Sequence, residues 1–488
     1  MLFWWHIKST VRPCVKKIEL LPKWCFQILL IMTFSGCVSI PSSTMPVTNA
    51  ASSSASPFAS TYIAAESPAT IIRGATVLTG TGKQLDSTDI LFSNGKITAL
   101  GLQLDAPDEA VEINGAGLWV TPGIIDVHSH MGVYSNPSVR AHSDGNEAVA
   151  PATAKVWAEH SVWPQDPNFE KALAGGVTTV QILPGSANLF GGRGVTLKNV
   201  PSVTMMGMKF PDAPQSLKMA CGENPKRVYG DKGGPATRMG NMAAYRTSWI
   251  AAKAYHKAWS EYEETVASGG KIADAPDRDL EMETLRGVLK GEIKIHNHCY
   301  RADEMANMIE LSKEFGYKIT AFHHAVEAYK IAPLLAENDI CAVVWADWWG
   351  FKQEAYDMIR ENAALIELAN GCAIIHSDDE IQIQRLPQEV GKAMAAANRM
   401  GMNLSPAQVI KWVTSNSAKS IGLDDRIGSI KNGMNADVVL WSGNPLSVYS
   451  KANKVWIDGA LRFDRSTPEQ NHTSDFNLGI ITPEGDRP

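Results

Sequence analysis

Histidine is the residue type whose placement carries the most chemical information in this chain. The chain has 12 histidines among 488 residues. Seven of them stand at the carboxyl ends of short apolar runs that we interpret as strands: His128, His130, His296, His298, His323, His324 and His376. His128 and His130 are two residues apart, so both imidazoles point to the same side of their strand. Neutral imidazole is the commonest metal ligand in proteins. Together with an acid at Asp378, the pattern predicts a metal centre rather than a set of packing histidines.

The elements that must position these side chains alternate between strand and helix over residues 122–424. The apolar strand-like runs are GIIDVHSH, VTTVQIL, LKMACGEN, IKIHNH, KITAFHH, CAVVWAD and CAIIHSDD, with helical stretches over 239–268, 301–314 and 387–400. Apolar strands that alternate with helices predict a parallel sheet covered on both faces. Over about 300 residues such a sheet closes most economically into a (β/α)₈ barrel, whose active site lies at the carboxyl ends of its strands. A doubly wound open sheet is the alternative, but the first strand is not followed by a Gly-rich phosphate loop.

The segments on either side of this block, 69–121 and 425–464, have a different pattern. Short apolar strands alternate there with Gly, Asn and Asp turns, and Asn94-Gly95 between two such strands is a strong hairpin signal. The pattern predicts two halves of one small β-sandwich, built from both ends of the chain and interrupted by the barrel. Residues 465–488 then form a C-terminal tail.

Residues 1–37 have the pattern of an export signal. Basic residues precede an apolar run from Trp24 to about Phe34, which is too short to span a bilayer as a permanent helix. The run ends in Phe34-Ser35-Gly36-Cys37, which resembles a bacterial lipobox and predicts a lipid on Cys37. A plain cleaved signal peptide and an uncleaved anchor are the alternatives. Residues 38–68, rich in Ser, Ala and Pro, predict a flexible tether. We therefore expect a bacterial periplasmic protein or a lipoprotein that touches the membrane only through this anchor.

The composition argues against one class of partner and predicts a role for the cysteines. The net charge is −6 and hydrophobic residues make up 44% of the chain. No polybasic run is present, which argues against a nucleic-acid partner. Cys221, Cys299, Cys341 and Cys372 each lie in or beside an apolar run. We expect them to be small buried core residues rather than a disulfide framework.

Several ordered motifs resemble one enzyme superfamily. They are Asp126-Val127-His128-Ser129-His130, the loop GGVTTVQILPGSANLFGGRGVTLKN, the segment LKMACGENPKRVYG and the tail ADVVLWSGNPLSVY. Over about residues 69–464 the chain resembles the amidohydrolase superfamily, in its imidazolonepropionase-like and Xaa-Pro dipeptidase-like branch. The resemblance implies a (β/α)₈ barrel with a β-sandwich made by both chain ends. It also implies hydrolysis of a C–N bond by water that one or two divalent metal ions activate, Zn²⁺ being the expected ion.

The resemblance also implies roles for the residues at the first and eighth strands. His128 and His130 match the first-strand metal ligands. Asp378 matches the eighth-strand aspartate, which both binds metal and moves the proton as general base and then acid. Asp379 is then a bystander or a supporting group.

On the fifth strand two histidines compete for one ligand position. His298 lies closer to the end of the strand than His296, so we choose His298 and keep His296 as the alternative. On the sixth strand His324 directly precedes the small-apolar-Glu run of the family pattern. We therefore assign the ligand to His324 and expect His323 to pack beside it.

The fourth strand offers a lysine and a glutamate. Relatives use either a carboxylated lysine or a glutamate there, and both Lys218 and Glu223 are available. Pro214 argues against a long strand before Lys218, which would place this lysine near the start of the strand and low in the barrel. Glu223 comes at the strand's end, just after Gly222. This geometry favours Glu223, and a strand that begins earlier would favour Lys218.

The sequence indicates the substrate-binding residues and the substrate class less specifically than it indicates the metal ligands. Candidates to bind a substrate carboxylate or a developing oxyanion are Arg193, Tyr229, Arg301 and His323. The first functional hypothesis is an amide or peptide hydrolase of dipeptidase or N-acyl amino acid hydrolase type, acting on a small molecule. The second is a cyclic-amide hydrolase or deaminase, and the third a barrel without catalysis that serves as a binding protein. The full ligand set argues against the third. The oligomeric state stays open, with a homo-oligomer as one option.

Overall fold

The computed structural model describes residues 58–270, 275–468 and 471. The predicted signal at 1–37, most of the tether and most of the C-terminal tail lie outside the described residues. In chain order the strands are β1 (Thr70–Leu78), β2 (Gln84–Ser93), β3 (Lys96–Gly101), β4 (Val111–Asn114), β5 (Trp119–Pro122), β6 (Ile124–Ser129), β7 (Val177–Ile182), β8 (Phe190–Lys198), β9 (Gln215–Ala220), β10 (Ile293–Cys299), β11 (Ile319–His324), β12 (Cys341–Val344), β13 (Cys372–Ile375), β14 (Val438–Trp441), β15 (Ala452–Ile457) and β16 (Ala460–Asp464).

The helices lie between and around the strands of the central block. They are α1 (Asn168–Ala174), α2 (Met205–Met208), α3 (Glu223–Tyr229), α4 (Arg238–Ala267), α5 (Leu280–Leu289), α6 (Ala302–Phe315), α7 (Ala332–Glu337), α8 (Asn362–Leu368), α9 (Leu386–Arg399), α10 (Pro406–Val409) and α11 (Ser415–Ile421). The three helices predicted from the sequence correspond to α4, α6 and α9, each displaced by one residue. Within the described part of the chain, we find no helix with the length and apolar character needed to cross a membrane.

The strands β6 to β13 form one eight-stranded sheet in sequential order. This sheet curls into a nearly closed TIM-like barrel. Its first and last strands come together where the backbone N–H of Asp378, just after β13, donates to the carbonyl oxygen of His128 at 3.2 Å. The prediction of a barrel is therefore confirmed, and the strand ends that carry the histidines meet at one mouth.

One strand departs from the predicted all-parallel sheet. β8 is antiparallel to both β7 and β9. The segment 183–189 that joins β7 to β8 is too short for the crossover that a parallel pair needs, which takes a dozen residues or more. The sequence of β8, FGGRGVTLK, is rich in glycine and carries two cations, so it did not match an apolar strand. All nine of its residues are nevertheless buried.

The two ends of the described chain share a second sheet. Its strands follow the order β16-β15-β14-β5-β1-β2-β3, with β4 paired to β1. The Asn94-Gly95 hairpin is confirmed, since Ser93 pairs with Lys96 and both turn residues have positive φ, at 50° and 75°. Strand β14 from the C-terminal segment pairs with β5, so both chain ends contribute to one sheet. The folding of this sheet into a two-layer sandwich stays a prediction.

The four cysteines of the barrel form two disulfides, so the expectation of isolated core thiols was wrong. Cys221 is bonded to Cys299 and Cys341 to Cys372, with Cα–Cα distances of 5.2 and 4.5 Å. Cys341 and Cys372 lie side by side on the neighbouring parallel strands β12 and β13, whereas Cys221 directly follows β9 and Cys299 ends the neighbouring β10. Each cysteine side chain, considered by itself, has the size and apolar character of a core residue. Only the strand register, which spacing in the sequence does not reveal, brings the sulfur atoms within bonding distance.

We expect the Cys341–Cys372 disulfide to contribute to stability. Replacing both cysteines by serine should lower the free energy of unfolding by about 2–4 kcal/mol, because the unfolded chain then regains the freedom that the cross-link removes. Denaturant unfolding of both proteins in non-reducing buffer measures the difference. In the presence of a reductant the two curves should coincide. A double variant as stable as the wild type without reductant would show that the disulfide does not stabilise the fold.

Candidate metal centre

The carboxyl ends of the first and eighth barrel strands bring two histidines and an aspartate together. His128 lies in β6 and His130 follows it. The Nε2 atoms of both lie 3.3 Å from Oδ1 of Asp378. The His128 side chain is fully buried, while those of His130 and Asp378 are 15% and 21% exposed. The three donors therefore converge where the barrel opens to solvent.

Local hydrogen bonds hold Asp378 in this position. Its φ of 56° lies in the left-handed region, which a non-glycine residue occupies only when its surroundings stabilise it. The neighbouring Ser377 Oγ donates to the carboxylate of Asp126. The same carboxylate accepts the backbone N–H of His128 at 3.1 Å. Burial raises the pKa of Asp126 to about 6, although the hydrogen bonds from Ser377 and His128 act to lower it. One buried carboxyl group thus connects the first ligand strand to the turn that carries Asp378.

Three further imidazoles line the other side of the centre. The ring centroid of His324 lies 4.7 Å from that of His128, 4.5 Å from that of His298 and 5.0 Å from that of His376. Among the described residues, Nδ1 of His298, Nδ1 of His324 and both ring nitrogens of His376 are buried without a hydrogen-bond partner. A buried nitrogen without a partner costs free energy. These atoms are therefore available to a ligand.

The electrostatics and donor types fit a transition-metal ion. Burial, followed by the neighbouring lysine and histidine side chains, holds the pKa values of His128, His298 and His324 well below the usual range. Such imidazoles are neutral and keep a lone pair. Ligand atoms of two groups, His128 with His130 and Asp378, and His128 with His324 and His376, lie within 4.8 Å of one another. A set dominated by imidazole with one carboxylate suits Zn²⁺ and its neighbours better than Mg²⁺ or Ca²⁺, which prefer oxygen.

Lys218 lies among these ligands. It belongs to β9, is 1% exposed, and its Nζ is 2.9 Å from Nε2 of His128. The expectation that it lies near the start of its strand and low in the barrel was wrong. The four-carbon side chain carries the amine from the middle of the strand up to the level of the imidazoles. Burial lowers the pKa of Lys218 to about 7, and only the charge of Asp378 acts in the opposite direction.

Glu223 lies at the rim of the same site. It is the first residue of α3, after Gly222, whose φ of 83° makes the turn out of β9. This φ, with a ψ of −148°, lies in a region that essentially only glycine adopts, and a Cβ atom there would also lie 2.8 Å from Oε2 of Glu354. The Glu223 carboxylate pairs with Lys352, with 3.5 Å between Oε1 and Nζ. The structure therefore places Glu223 in the cavity wall and Lys218 at the imidazoles.

The remaining two strand-end histidines form a hydrogen-bonded chain with His128. Nδ1 of His323 is 2.9 Å from Nδ1 of His128, and Nε2 of His323 is 2.7 Å from Nδ1 of His296. Burial lowers the pKa of His296 to about 3, while a hydrogen bond from its ring to the backbone of Ser420 acts to raise it. His296 and His323 are both fully buried. His323 therefore contacts a predicted ligand instead of the substrate cavity.

A cavity of about 550 Å³ opens onto the centre. It is lined by His128, His130, Tyr134, Asn146, Gly185, Ser186, Glu223, Asn224, Arg227, His298, Tyr300, His324, Phe351, Lys352 and Asp378. Two of these, Arg227 and Lys352, are cations, and Tyr300 and Phe351 offer aromatic faces. None of the four was among the site residues predicted from the sequence. Arg227 lies in the KRVYG part of a family motif, whereas no sequence signal points to Lys352.

The four residues predicted to contact substrate lie elsewhere among the described residues. Arg193 donates to Thr284 at 2.8 Å and stacks 4.1 Å from the ring centroid of Trp157. The Tyr229 hydroxyl accepts a hydrogen bond from Asn188 at 2.8 Å. Arg301 pairs with the adjacent Asp303 at 2.9 Å, in a separate surface cavity. With His323 in the histidine chain, none of the four lines the cavity at the centre.

Comparison with protein families agrees with the barrel and with the histidine placement. A family model described as amidohydrolase family matches residues 119–462, a span that contains every candidate metal ligand. The chain belongs to the amidohydrolase family.

Comparison of sequences and comparison of structures each identify proteins similar to this amidohydrolase. It is 32% identical over 396 residues to "Amidohydrolase tasK" of Hapsidospora irregularis, covering 77% of this chain but only 40% of that protein. It is 24% identical over 403 residues to an imidazolonepropionase of Idiomarina loihiensis, covering 74% of this chain and 87% of that protein. Among solved structures, an amidohydrolase from Thermotoga maritima MSB8 is 36% identical, with a TM-score of 0.73 over 81% of this chain and all of the other.

Removing an imidazole of the first strand should remove metal. In this amidohydrolase we expect His128→Ala and His130→Ala each to lower bound metal and activity together, because two of the converging donors come from these residues. Elemental analysis of the purified variants beside an activity assay measures both quantities. The matched control is His142→Ala, a half-buried histidine outside the centre whose ring contacts the backbone of Pro137 at 3.0 Å. Full metal occupancy in the His128/His130 double variant would contradict the assignment.

Proposed function

We propose that this amidohydrolase is a metal-dependent hydrolase of an amide or peptide C–N bond in a small molecule, of dipeptidase or N-acyl amino acid hydrolase type. The observation that carries the proposal is the convergence of His128 and His130 on Asp378 at 3.3 Å, at the floor of an open cavity. The nitrogen-rich donor set favours Zn²⁺ as the ion. Family membership supports the reaction type.

A bound ion would activate water and polarise the scissile carbonyl. His128, His130, His298, His324 and Asp378 would hold it. Asp378 is a carboxylate at the centre that is also partly open to the cavity. It accepts a proton from the attacking water and later delivers a proton to the leaving nitrogen, as a general base and then acid.

We propose Lys218, not Glu223, as the fourth-strand ligand, in its carboxylated form. The amine is buried beside His128, and the Glu223 carboxylate is paired with Lys352 at the rim. Carboxylation turns a buried amine into an anionic oxygen donor among neutral imidazoles. A buried unmodified lysine in this place would instead repel a divalent cation.

The cavity wall supports a substrate that carries a carboxylate. Lys352 Nζ lies 3.1 Å from Asn224 Oδ1 and 4.0 Å above the ring of Tyr300, so it is held in place within the wall. Arg227 is exposed at the same cavity. Two cations that face a cavity bind an anionic group well. Phe351 and Tyr300 supply an apolar surface for a side chain.

A cyclic-amide hydrolase is the second candidate. It is favoured by the similarity to an imidazolonepropionase over 87% of that protein's length. Both candidates use the same centre, so they differ in substrate shape alone.

A substrate panel separates the two candidates. Zn²⁺-loaded enzyme is assayed with dipeptides, N-acyl amino acids and cyclic amides, with metal-stripped enzyme as the control. The proposal expects hydrolysis of linear carboxylate-bearing amides, and Arg227→Met should raise KM more than it lowers kcat. Activity confined to cyclic amides would favour the second candidate, and activity that is equal without metal would contradict both.

We further propose that the protein is exported and lipidated at Cys37. The charged and then apolar pattern of residues 1–37 supports export. The two disulfides of the barrel give independent support, since disulfides persist in oxidising compartments.

A lipid on Cys37 is open to direct labelling. Cells that express the full chain and receive a labelled fatty acid should yield a labelled protein, and Cys37→Ser should abolish the label. Cys25→Ser, which changes a cysteine of the same segment outside the lipobox, should keep it. An unlabelled, soluble periplasmic product from the wild-type gene would retain export and contradict lipidation.

A further inference from the structure

The histidine chain that starts at His128 has a defined direction. A neutral imidazole carries one N–H and one lone pair. Nε2 of His128 lies 3.3 Å from Asp378 Oδ1 and 2.9 Å from Lys218 Nζ, on the side where the donors converge. A metal ion bound there would take the lone pair of Nε2, which leaves the proton of His128 on Nδ1. This Nδ1 lies 2.9 Å from Nδ1 of His323, which must therefore accept.

The same reasoning fixes His323 and His296. Because Nδ1 of His323 accepts, the proton of His323 is on Nε2, which donates to Nδ1 of His296 at 2.7 Å. The proton of His296 is then on its Nε2.

Gln181 completes the far end of the chain. Its Nε2 lies 3.4 Å from Nε2 of His296, and its Oε1 is buried with no partner among the described residues. With a proton on Nε2 of His296, the amide nitrogen of Gln181 at this position would place two hydrogen-bond donors opposite each other. Exchanging the two ends of the amide places Oε1 on the ring N–H and gives the buried oxygen its partner.

We propose that His323 is a positioning residue, which holds His128 in the Nδ1–H form so that Nε2 is presented to the metal. The inference rests on the proposed function in one respect, that His128 binds a metal ion. Groups that hydrogen-bond a ligating imidazole commonly fix its tautomer and its orientation. Here the supporting group is another histidine, which is itself held by His296.

Two isosteric variants test the acceptor role. In His323→Asn the side-chain oxygen can occupy the place of Nδ1 and accept from His128. In His323→Gln the amide lies at the place of Nε2 and leaves His128 without an acceptor. The purified proteins are stripped of metal and titrated with Co²⁺ against a chelator, and the visible absorption of bound Co²⁺ is recorded. We expect His323→Asn to bind Co²⁺ nearly as the wild type does, and His323→Gln to bind about 10- to 100-fold more weakly with an altered spectrum.

The outcomes distinguish this inference from the proposed function. Equal affinity of the two variants, or weaker binding by His323→Asn, would overturn the positioning role while leaving metal dependence intact. Failure of the wild type to bind Co²⁺ would overturn both. Thermal unfolding of the metal-free proteins shows whether both variants fold. Where one of them does not, the pair His296→Asn and His296→Gln replaces it, because only the asparagine keeps an acceptor for His323. The same order of affinities is expected there, and equal affinities would again overturn the role.

Discussion

Asp378→Asn should lower turnover by about 10²-fold or more while bound metal stays close to the wild-type content. Asparagine keeps an oxygen near the Nε2 atoms of His128 and His130, which lie 3.3 Å from the present carboxylate. It does not accept a proton at neutral pH. The chemical step therefore loses its base, whereas the imidazoles that hold the ion are unchanged. Steady-state kinetics and elemental analysis of the same preparation measure the two effects.

Asp379→Asn is the matched control for this variant. The Asp379 carboxylate accepts backbone N–H groups of Ile381 and Gln382 at 2.9 and 2.6 Å, so it stabilises the turn after the eighth strand. We expect this change to lower stability slightly and to leave turnover within a few-fold of the wild type. A severe loss in Asp379→Asn beside a mild one in Asp378→Asn would show that the wrong aspartate has been assigned.

Metal uptake by the apo-protein should depend on bicarbonate, and Lys218→Ala should abolish both the dependence and most of the binding. The neutral amine of Lys218 attacks the carbon of CO₂, an N–C bond forms, and the amine proton leaves to solvent. The product is a carbamate anion at the position that is now 2.9 Å from His128. Loss of this ligand should weaken metal binding by at least about tenfold. Equilibrium titration with Zn²⁺, with and without bicarbonate, measures the effect.

Glu223→Gln is the control for the lysine. Because Glu223 is paired with Lys352 at the rim, we expect this variant to bind Zn²⁺ as the wild type does and to keep the response to bicarbonate. ¹³C-bicarbonate should give a carbamate signal in the wild type that is absent in Lys218→Ala. Zn²⁺ binding that does not depend on bicarbonate and is lost in Glu223→Gln would show that Glu223, and not Lys218, is the fourth-strand ligand.

The sequence predicts those parts of this protein that depend on local patterns. Alternating apolar and helical segments predicted the barrel, and Asn94-Gly95 predicted its hairpin because a two-residue turn with positive φ requires such residues. The histidines at strand ends predicted the convergence on Asp378, since the barrel mouth brings all strand ends together.

Features that depend on depth or register were not predictable in the same way. The position of Lys218 was misjudged because a strand boundary says little about how far a long side chain reaches. Arg193 and Tyr229 have the chemistry of substrate-binding groups, but they are satisfied by Thr284 and Asn188. The link between His323 and His128 joins residues 195 positions apart, and only the closed barrel brings them into contact.

The pairing of β5 with β14 affects the order in which the chain can fold. Trp441 Nε1 donates to Thr121 Oγ1 at 2.9 Å across 320 residues of sequence, and the whole barrel lies between these two residues. Domains fold mainly from the N-terminus while synthesis proceeds. Strands β1 to β5 must therefore wait, with one edge unpaired, until the barrel and then β14 to β16 have been made. Contacts of such long range slow folding, and an unpaired edge strand invites pairing with other chains. Nascent copies of this protein are thus most exposed to aggregation in the interval between completion of the barrel and arrival of its last three strands.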